Sequence, residues 1–381
     1  MNPSSLLNLP LGISQLQELL LKAATFPKED AVIYWEKWKK ACNITQISVE
    51  DHQFLPKIFD PLDYDSQRLL PLVYKNLENL NDPIIAKLRG NYRYHWLKGN
   101  HFMGKAATLV STLQKAGFEV MVLKGLPIAS VFYKNMGARP MDDIDIFVPI
   151  HQIEEVILFL ETQLSLKGNK HENELRKLGM FHAIHFTDGK GLDFDLHCHF
   201  HIYNLNAESD QIIWENKIPF ALSPEVNSFM PSPTHLLYRN FTHGYSWLNP
   251  NPPIRWIPDC LAILSSHTHQ IDWKELLALA SKQNLIIPVC NMLHYLATNF
   301  NVKYPEHVSN QIANLNCKPS EKLYFKLLIN APKNKKRALF NVNRTARILL
   351  RYHLYQERDI RNSFPEWVFK KIKYYQISKN L

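Results

Sequence analysis

Helices, then a small mixed sheet, then helices again: the sequence predicts an α+β chain in that order. Three observations predict it. Apolar residues recur at helical spacing through the first 116 residues. The period drops toward two between 117 and about 205, and helical spacing returns from Pro233 onward. The chain therefore divides into an N-terminal helical region (1–116), an α/β core (117–230) and a C-terminal helical region with a basic end (231–381). Its 381 residues, 46% of them hydrophobic, suit two or three domains with a sizeable core.

Each element has its own signal. Residues 14–25, 28–42 and 65–80 carry amphipathic helical spacing, and Pro83 opens a long helix to Lys115, the proline standing in the first turn. Residues 119–124 read as a short strand and 125–135 as a short helix. Gly137 and Pro140 mark a turn, 144–148 a second strand and 151–165 a helix. Residues 181–200 read as a hairpin turning at Asp188-Gly189-Lys190-Gly191. Helices are expected at 233–244, 254–267, 272–283 and 287–300, with two or three more beyond.

The net charge of +9 is uneven. From Lys333 to Leu381 thirteen Lys/Arg stand against three Asp/Glu, so the rest of the chain is close to neutral. The same segment carries Phe340, Ile348, Leu349, Leu350, Leu354, Phe364, Trp367, Val368 and Phe369, too apolar for a solvated arm. Helices packed by an apolar face, with a basic face outward, are expected. Such a face suits nucleic acid, an acidic partner or an anionic membrane surface. Five scattered cysteines without a CxxC pair support neither a zinc ribbon nor a disulfide framework. With no signal-peptide pattern and no transmembrane segment, a cytoplasmic location is expected.

The chemistry concentrates in two stretches. Asp143 and Asp145 are two apart, so in a strand both carboxylates project from one face while Ile144 and Ile146 enter the core. Like charges held that close call for a cation, and a divalent metal with oxygen ligands is the obvious one. On the same argument, changing either residue to Asn should relieve repulsion and cost no stability. The second stretch, 191–203, alternates strictly. Asp193, Asp195, His197, His199 and His201 share one face; Leu192, Phe194, Leu196, Cys198, Phe200 and Ile202 share the other. A half-buried strand needs polar residues outside, but not five acidic or imidazole groups in succession. His199 and His201 are expected in solvent.

With Leu123-Lys124-Gly125, Arg139, Asp143-Ile144-Asp145-Ile146 and Asp195-Leu196-His197 in that order, the sequence resembles the DNA-polymerase-β-like nucleotidyltransferase superfamily. More narrowly it resembles a group of uncharacterised bacterial nucleotidyltransferases. Residues 255–280 and Thr242-His243-Gly244 resemble that group's C-terminal part. The resemblance implies a small nucleotidyltransferase-type mixed sheet flanked by helical regions. It implies transfer of an NMP from an NTP, with ATP the expected donor, to an unidentified hydroxyl on a small molecule, protein or RNA. Two Mg2+ ions, or Mn2+, would be held by Asp143, Asp145 and Asp195. Asp193 is the rival for the third place, and His197 would orient Asp195 or touch the acceptor. Lys124, Gly125 and Arg139 would take the phosphates. The sequence departs from the superfamily where Leu126 follows Gly125, in place of the usual Gly or Ser, and the gap from Gly125 to Asp143 is long. His243 and Asp259 fall on helices near the cleft, where packing roles are the simpler reading. Three other readings stand beside transfer: a catalytically silent nucleotide-binding protein, a nucleic-acid-binding module using the basic end, and a zinc-dependent hydrolase using His197, His199 and an acid.

Overall fold

The computed structural model describes residues 7, 11–44, 62–177, 179, 181–189, 191–201, 205, 207–244, 253–329, 342–354 and 363–378. The N-terminal part, among the described residues, includes the helices α1 (Gln15–Thr25), α2 (Lys28–Ala41), α3 (Tyr64–Leu77) and α4 (Pro83–Lys115). The starts of α1, α3 and α4 follow from capping chemistry. Ser14 and Gln17 form a reciprocal capping box on α1, and Asp63 caps α3. Asp82 caps α4 ahead of Pro83 and also accepts from Trp35 Nε1 (2.9 Å) and Lys39 Nζ (2.6 Å), so one buried carboxylate ties α2 to α4.

The middle of the chain holds β1 (Met121–Leu123), β2 (Ile144–Phe147), α5 (Ile153–Thr162), β3 (Lys167–Gly168), α6 (Lys170–Lys177), β4 (Ala183–Thr187), β5 (Asp193–His197), α7 (Ala207–Glu215), β6 (Ile218–Ala221) and β7 (Asn227–Met230). All strands join one mixed sheet in the order β3-β4-β5-β2-β1-β7-β6. β1 runs antiparallel to β2, β2 parallel to β5, and β4 antiparallel to β5. One sheet face sends Val122, Ile144, Ile146, Ile184, Phe186, Phe194 and Leu196 into the main core. On the other face a smaller cluster of Met121, Leu123 and Phe147 packs with Phe200 and with Ile213 of α7. That second face also carries the ionisable residues described below.

Helices resume with α8 (Pro233–Gly244), α9 (Trp256–His267), α10 (Trp273–Lys282), α11 (Ile286–Phe300), α12 (Glu306–Asn314), α13 (Pro319–Ile329), α14 (Val342–Leu354) and α15 (Phe364–Ser378). The chain thus has the expected α+β architecture of a nucleotidyltransferase-type fold. No helix among the described residues is long and apolar enough to cross a membrane. The basic end packs in part. Leu354 and Trp367 are buried, Leu354 O accepts from Asn284 Nδ2 (2.8 Å), and Tyr352 meets Phe364 and Trp367 edge-on. Ile348, Leu349 and Phe369 stay exposed. Phe340 lies outside the described residues.

Three local differences separate the sequence reading from the structure. The helix expected at 125–135 is a helical turn, Gly125–Pro127, running into a π-helical turn, Ile128–Phe132. The alternation read through 203 ends as a strand at His197; Cys198 and His199 N–H both turn to His182 O. Lys190, Ile202 and Tyr203 of that stretch lie outside the described residues. The strands β3, β6 and β7 are only two to four residues long and carry too little alternation to be read.

Gly244 shows why a glycine ends α8: a Cβ there would overlap the Trp256 indole of α9. Gly244→Ala should therefore lower stability by roughly 1–3 kcal/mol, the usual cost of overpacking. Equilibrium unfolding in urea checks this, and an unchanged midpoint would mean that α8 and α9 do not meet there.

Candidate active site

The sheet register brings the carboxylates together. Asp145 on β2 is paired with Asp195 on β5, and Asp195 with His185 on β4, so these three residues stand side by side across adjacent strands. Phe147 and His197 form the next pair along. The ligand atoms of Asp145, Asp195 and His197 all lie within 4.8 Å of one another. His197 Nε2 is 2.8 Å from Asp145 Oδ1, so His197 orients Asp145 and not Asp195. Asp195 Oδ1 is instead 3.1 Å from His185 Nδ1, and Asp193 lies farther from the same ring, at 3.8 Å.

Lys124 enters from the opposite side. It follows β1 directly, and its backbone adopts φ 48°, ψ −105°, a strained conformation for a residue with a Cβ. Its Nζ contacts Asp145 Oδ1 and lies 3.5 Å from His197 Nε2. Gly125 must be glycine for space: a Cβ would stand 2.8 Å from Met141 Sδ and 3.3 Å from Arg139 Nη1.

Arg139 is fully engaged on one side. Its Nε and Nη2 donate to the two oxygens of Asp259 on α9 at 2.9 and 2.8 Å, and Tyr133 OH donates to the same carboxylate at 3.0 Å. The packing role foreseen for Asp259 is thus an ion pair across the seam between loop and helix. Arg255 and Arg68 both donate to Pro140 O, at 2.7 and 3.2 Å, so the loop before Asp143 is held by arginines from three parts of the chain.

Two expectations are corrected. His199 and His201 are buried, not solvated. Because the chain leaves the sheet after His197, their positions no longer map onto the strand's outer face, and α7 and α8 cover them. His199 Nδ1 pairs with Asp210 of α7 at 2.6 Å. His201 packs edge-on against Tyr238 at 5.0 Å, with Thr242 Oγ1 3.4 Å from its Nδ1. The His197–His199 metal pair of the hydrolase reading is therefore not assembled. His185 was missed, although counting outward from the Asp188–Gly191 turn places it opposite Asp195.

A model of the uncharacterised nucleotidyltransferase family matches residues 64–301, from the start of α3 to the end of α11. The chain belongs to that family. Among curated proteins no sequence matches it.

The electrostatics of this nucleotidyltransferase sort its carboxylates. Burial pushes the Asp143 carboxyl up to about 6, helped by the charges of Asp145 and Asp195. Burial would raise Asp145 as well, but the Lys124 ammonium and the His197 hydrogen bond hold it far below the usual carboxylate range. Burial and Lys124 push His197 down to about 4. A neutral imidazole beside an ionised carboxylate donates through Nε2, which leaves Nδ1 as a bare acceptor. That atom is buried without a partner among the described residues.

The expected equivalence of Asp143 and Asp145 therefore fails: only Asp143 carries uncompensated repulsion. Its folded pKa is raised, so its stabilising contribution is complete below the ordinary carboxylate range and is lost as pH rises through about 6. In chelator, Asp143→Asn should be more stable than wild type at pH 7.5, by on the order of 1 kcal/mol, and no more stable at pH 4. Asp145→Asn should be less stable at pH 7.5. Urea unfolding across that range checks both signs; a pH-independent difference for Asp143→Asn would place its carboxyl in open solvent. Separately, Asp259→Ala strands a buried guanidinium and should cost about 3–5 kcal/mol, measured in the same way.

Proposed function

We propose that this nucleotidyltransferase moves an NMP group from an NTP, with ATP the expected donor, to a hydroxyl acceptor, supported by divalent metal ions. The observation that carries the reading is the convergence of Asp145, Asp195 and His197 ligand atoms within 4.8 Å, near a third carboxylate, Asp143, whose charge is already destabilised by burial and by its acidic neighbours. Excess carboxylate charge, with the imidazole nitrogen that His197 brings to the cluster, fits a cation. Carboxylates suit Mg2+, and an imidazole nitrogen extends the donor set to Mn2+. Such ions, when bound, neutralise phosphoryl charge and make the attacking hydroxyl more acidic.

The chain's own residues supply the rest. Asp143, Asp145 and Asp195 would hold the metal, and His197 fixes the Asp145 carboxylate. Lys124 reaches the phosphates by releasing Asp145, and Gly125 leaves them room. Arg139 shapes the loop from its anchor on Asp259, with Nη1 turned toward Gly125. The acceptor oxygen attacks the α-phosphorus, the bond to the bridging oxygen breaks, and pyrophosphate leaves. The hydroxyl proton passes to Asp195, which His185 contacts at 3.1 Å.

Each of the four NTPs, labelled at the α-phosphate and incubated with the protein, Mg2+ and cell extract, tests the reading. One NTP should label an acceptor with release of pyrophosphate. Asp143→Asn, Asp145→Asn and Asp195→Asn should each slow transfer about a hundredfold or more, as loss of several kcal/mol of charge stabilisation implies. Transfer that survives chelator or Asp195→Asn would refute the assignment. Nucleotide binding without pyrophosphate release would favour the catalytically silent reading.

A further inference from the structure

The helical region after the sheet places a second cation beside the carboxylates. Arg239 lies on α8, 8% exposed, with its guanidinium carbon 4.8 Å from the centre of the Phe200 ring. Phe200 belongs to the apolar cluster that continues the site face past Phe147. The next residue, His201, packs on Tyr238, the neighbour of Arg239, so α8 lies against the segment that follows β5. The charge of Arg239 acts on Asp145 and Asp195 and on His197 and His243.

Its partners are the anomaly. Arg139, equally buried, has both oxygens of Asp259. Arg239 has no ion-pair carboxylate among the described residues, and its Nε has no hydrogen-bond partner. Asp210, the nearby acid of α7, gives its oxygens to His199 Nδ1 (2.6 Å) and Phe200 N (2.8 Å). Asp145, Asp210 and Asp195 act on this guanidinium only through space; a buried cation without a direct ion pair is costly, and the planar fork of arginine is the side chain best suited to phosphate. The surrounding imidazoles of His182, His197 and His201 are kept neutral by burial and by that same positive charge. None of them competes for an anion as a cation would.

We infer that Arg239 is a substrate-binding residue that receives the pyrophosphate portion of the nucleoside triphosphate, so that the helical region after the sheet contributes directly to phosphate binding. This rests on the nucleotidyltransferase reading above. It gives the protein a phosphate ligand where Arg139 is held by Asp259 and where Leu126 stands in place of the superfamily's serine. The anion would lie between Arg239 and the cations held by the carboxylates, giving the guanidinium the direct ionic partner it lacks among the described residues.

The test uses full-length protein and inorganic pyrophosphate with Mg2+, a probe independent of the nucleobase, alongside Mg-ATP. Arg239→Met keeps the packing on Phe200 and removes the charge. It should weaken Mg-pyrophosphate and Mg-ATP binding by a similar factor of tenfold or more, while adenosine binding changes less than twofold. Its melting temperature without ligand should equal or exceed that of wild type, because an unpaired charge has been removed. A purely structural arginine would give the reverse: a lower melting temperature and pyrophosphate affinity within twofold of wild type, which would overturn the inference. If Arg239→Met does not fold, Arg239→Lys provides the second measurement. Partial loss of pyrophosphate affinity is expected, and unchanged affinity overturns the inference. Wild-type protein that binds Mg-ATP while Arg239→Met binds it equally well refutes the Arg239 assignment alone; wild-type protein that binds neither probe refutes the nucleotidyltransferase reading with it.

Discussion

The pairing of β2 with β5 governs the rest of the site. Their parallel register sets Asp145 directly beside Asp195. Two carboxylates on neighbouring strands, one of them almost wholly buried, create a charge problem that the surrounding residues answer in turn. Lys124 leans in from a strained backbone, His197 donates from two residues along β5, and His185 meets Asp195 from β4. Asp143, just before β2, gains too little from Lys124 and Arg255 to offset burial and its acidic neighbours, so its proton is harder to remove than usual. The apolar half of the same face, closed by α7, keeps water from the far side of His197 and sharpens these interactions.

The sheet does not build the site alone. The loop before Asp143 is fastened to α9 by Arg139 and Asp259, residues 120 positions apart in sequence. It is braced by Arg255 and Arg68 on a single carbonyl oxygen. Buried ion pairs of this kind add little net stability over apolar packing, but they punish any other arrangement severely. Here they fix the approach of a loop that the hydrophobic core could not orient, since apolar contacts carry no direction. α8, which carries Arg239, packs on the same helix α9 at Gly244 and Trp256.

Much of this was legible in the sequence, for identifiable reasons. Period delimited the long helices, and Pro83 opens α4 as its type suggests. Alternation revealed the faces of β2 and β5, and therefore the shared face of Asp145, Asp195 and His197. What escaped was set by tertiary placement. Nothing local distinguishes Arg139, which has a carboxylate waiting on α9, from Arg239, which has none among the described residues. His199 and His201 continue the alternating pattern in sequence after the strand itself has ended, so pattern alone sent them to solvent. The equal treatment of Asp143 and Asp145 failed because the position of the Lys124 ammonium depends on one unusual pair of backbone angles.

Lys124 has a consequence for how the protein waits between turnovers. On the metal-dependent reading, its ammonium occupies the place beside Asp145 that an incoming metal ion would claim, so Asp145 already has a cationic partner before metal arrives. A cation arriving alone has to compete with a tethered one held at very high local concentration. A cation arriving with a polyphosphate brings the lysine a new partner as it takes the old one. On the proposed reading, this contact favours joint arrival over stepwise loading.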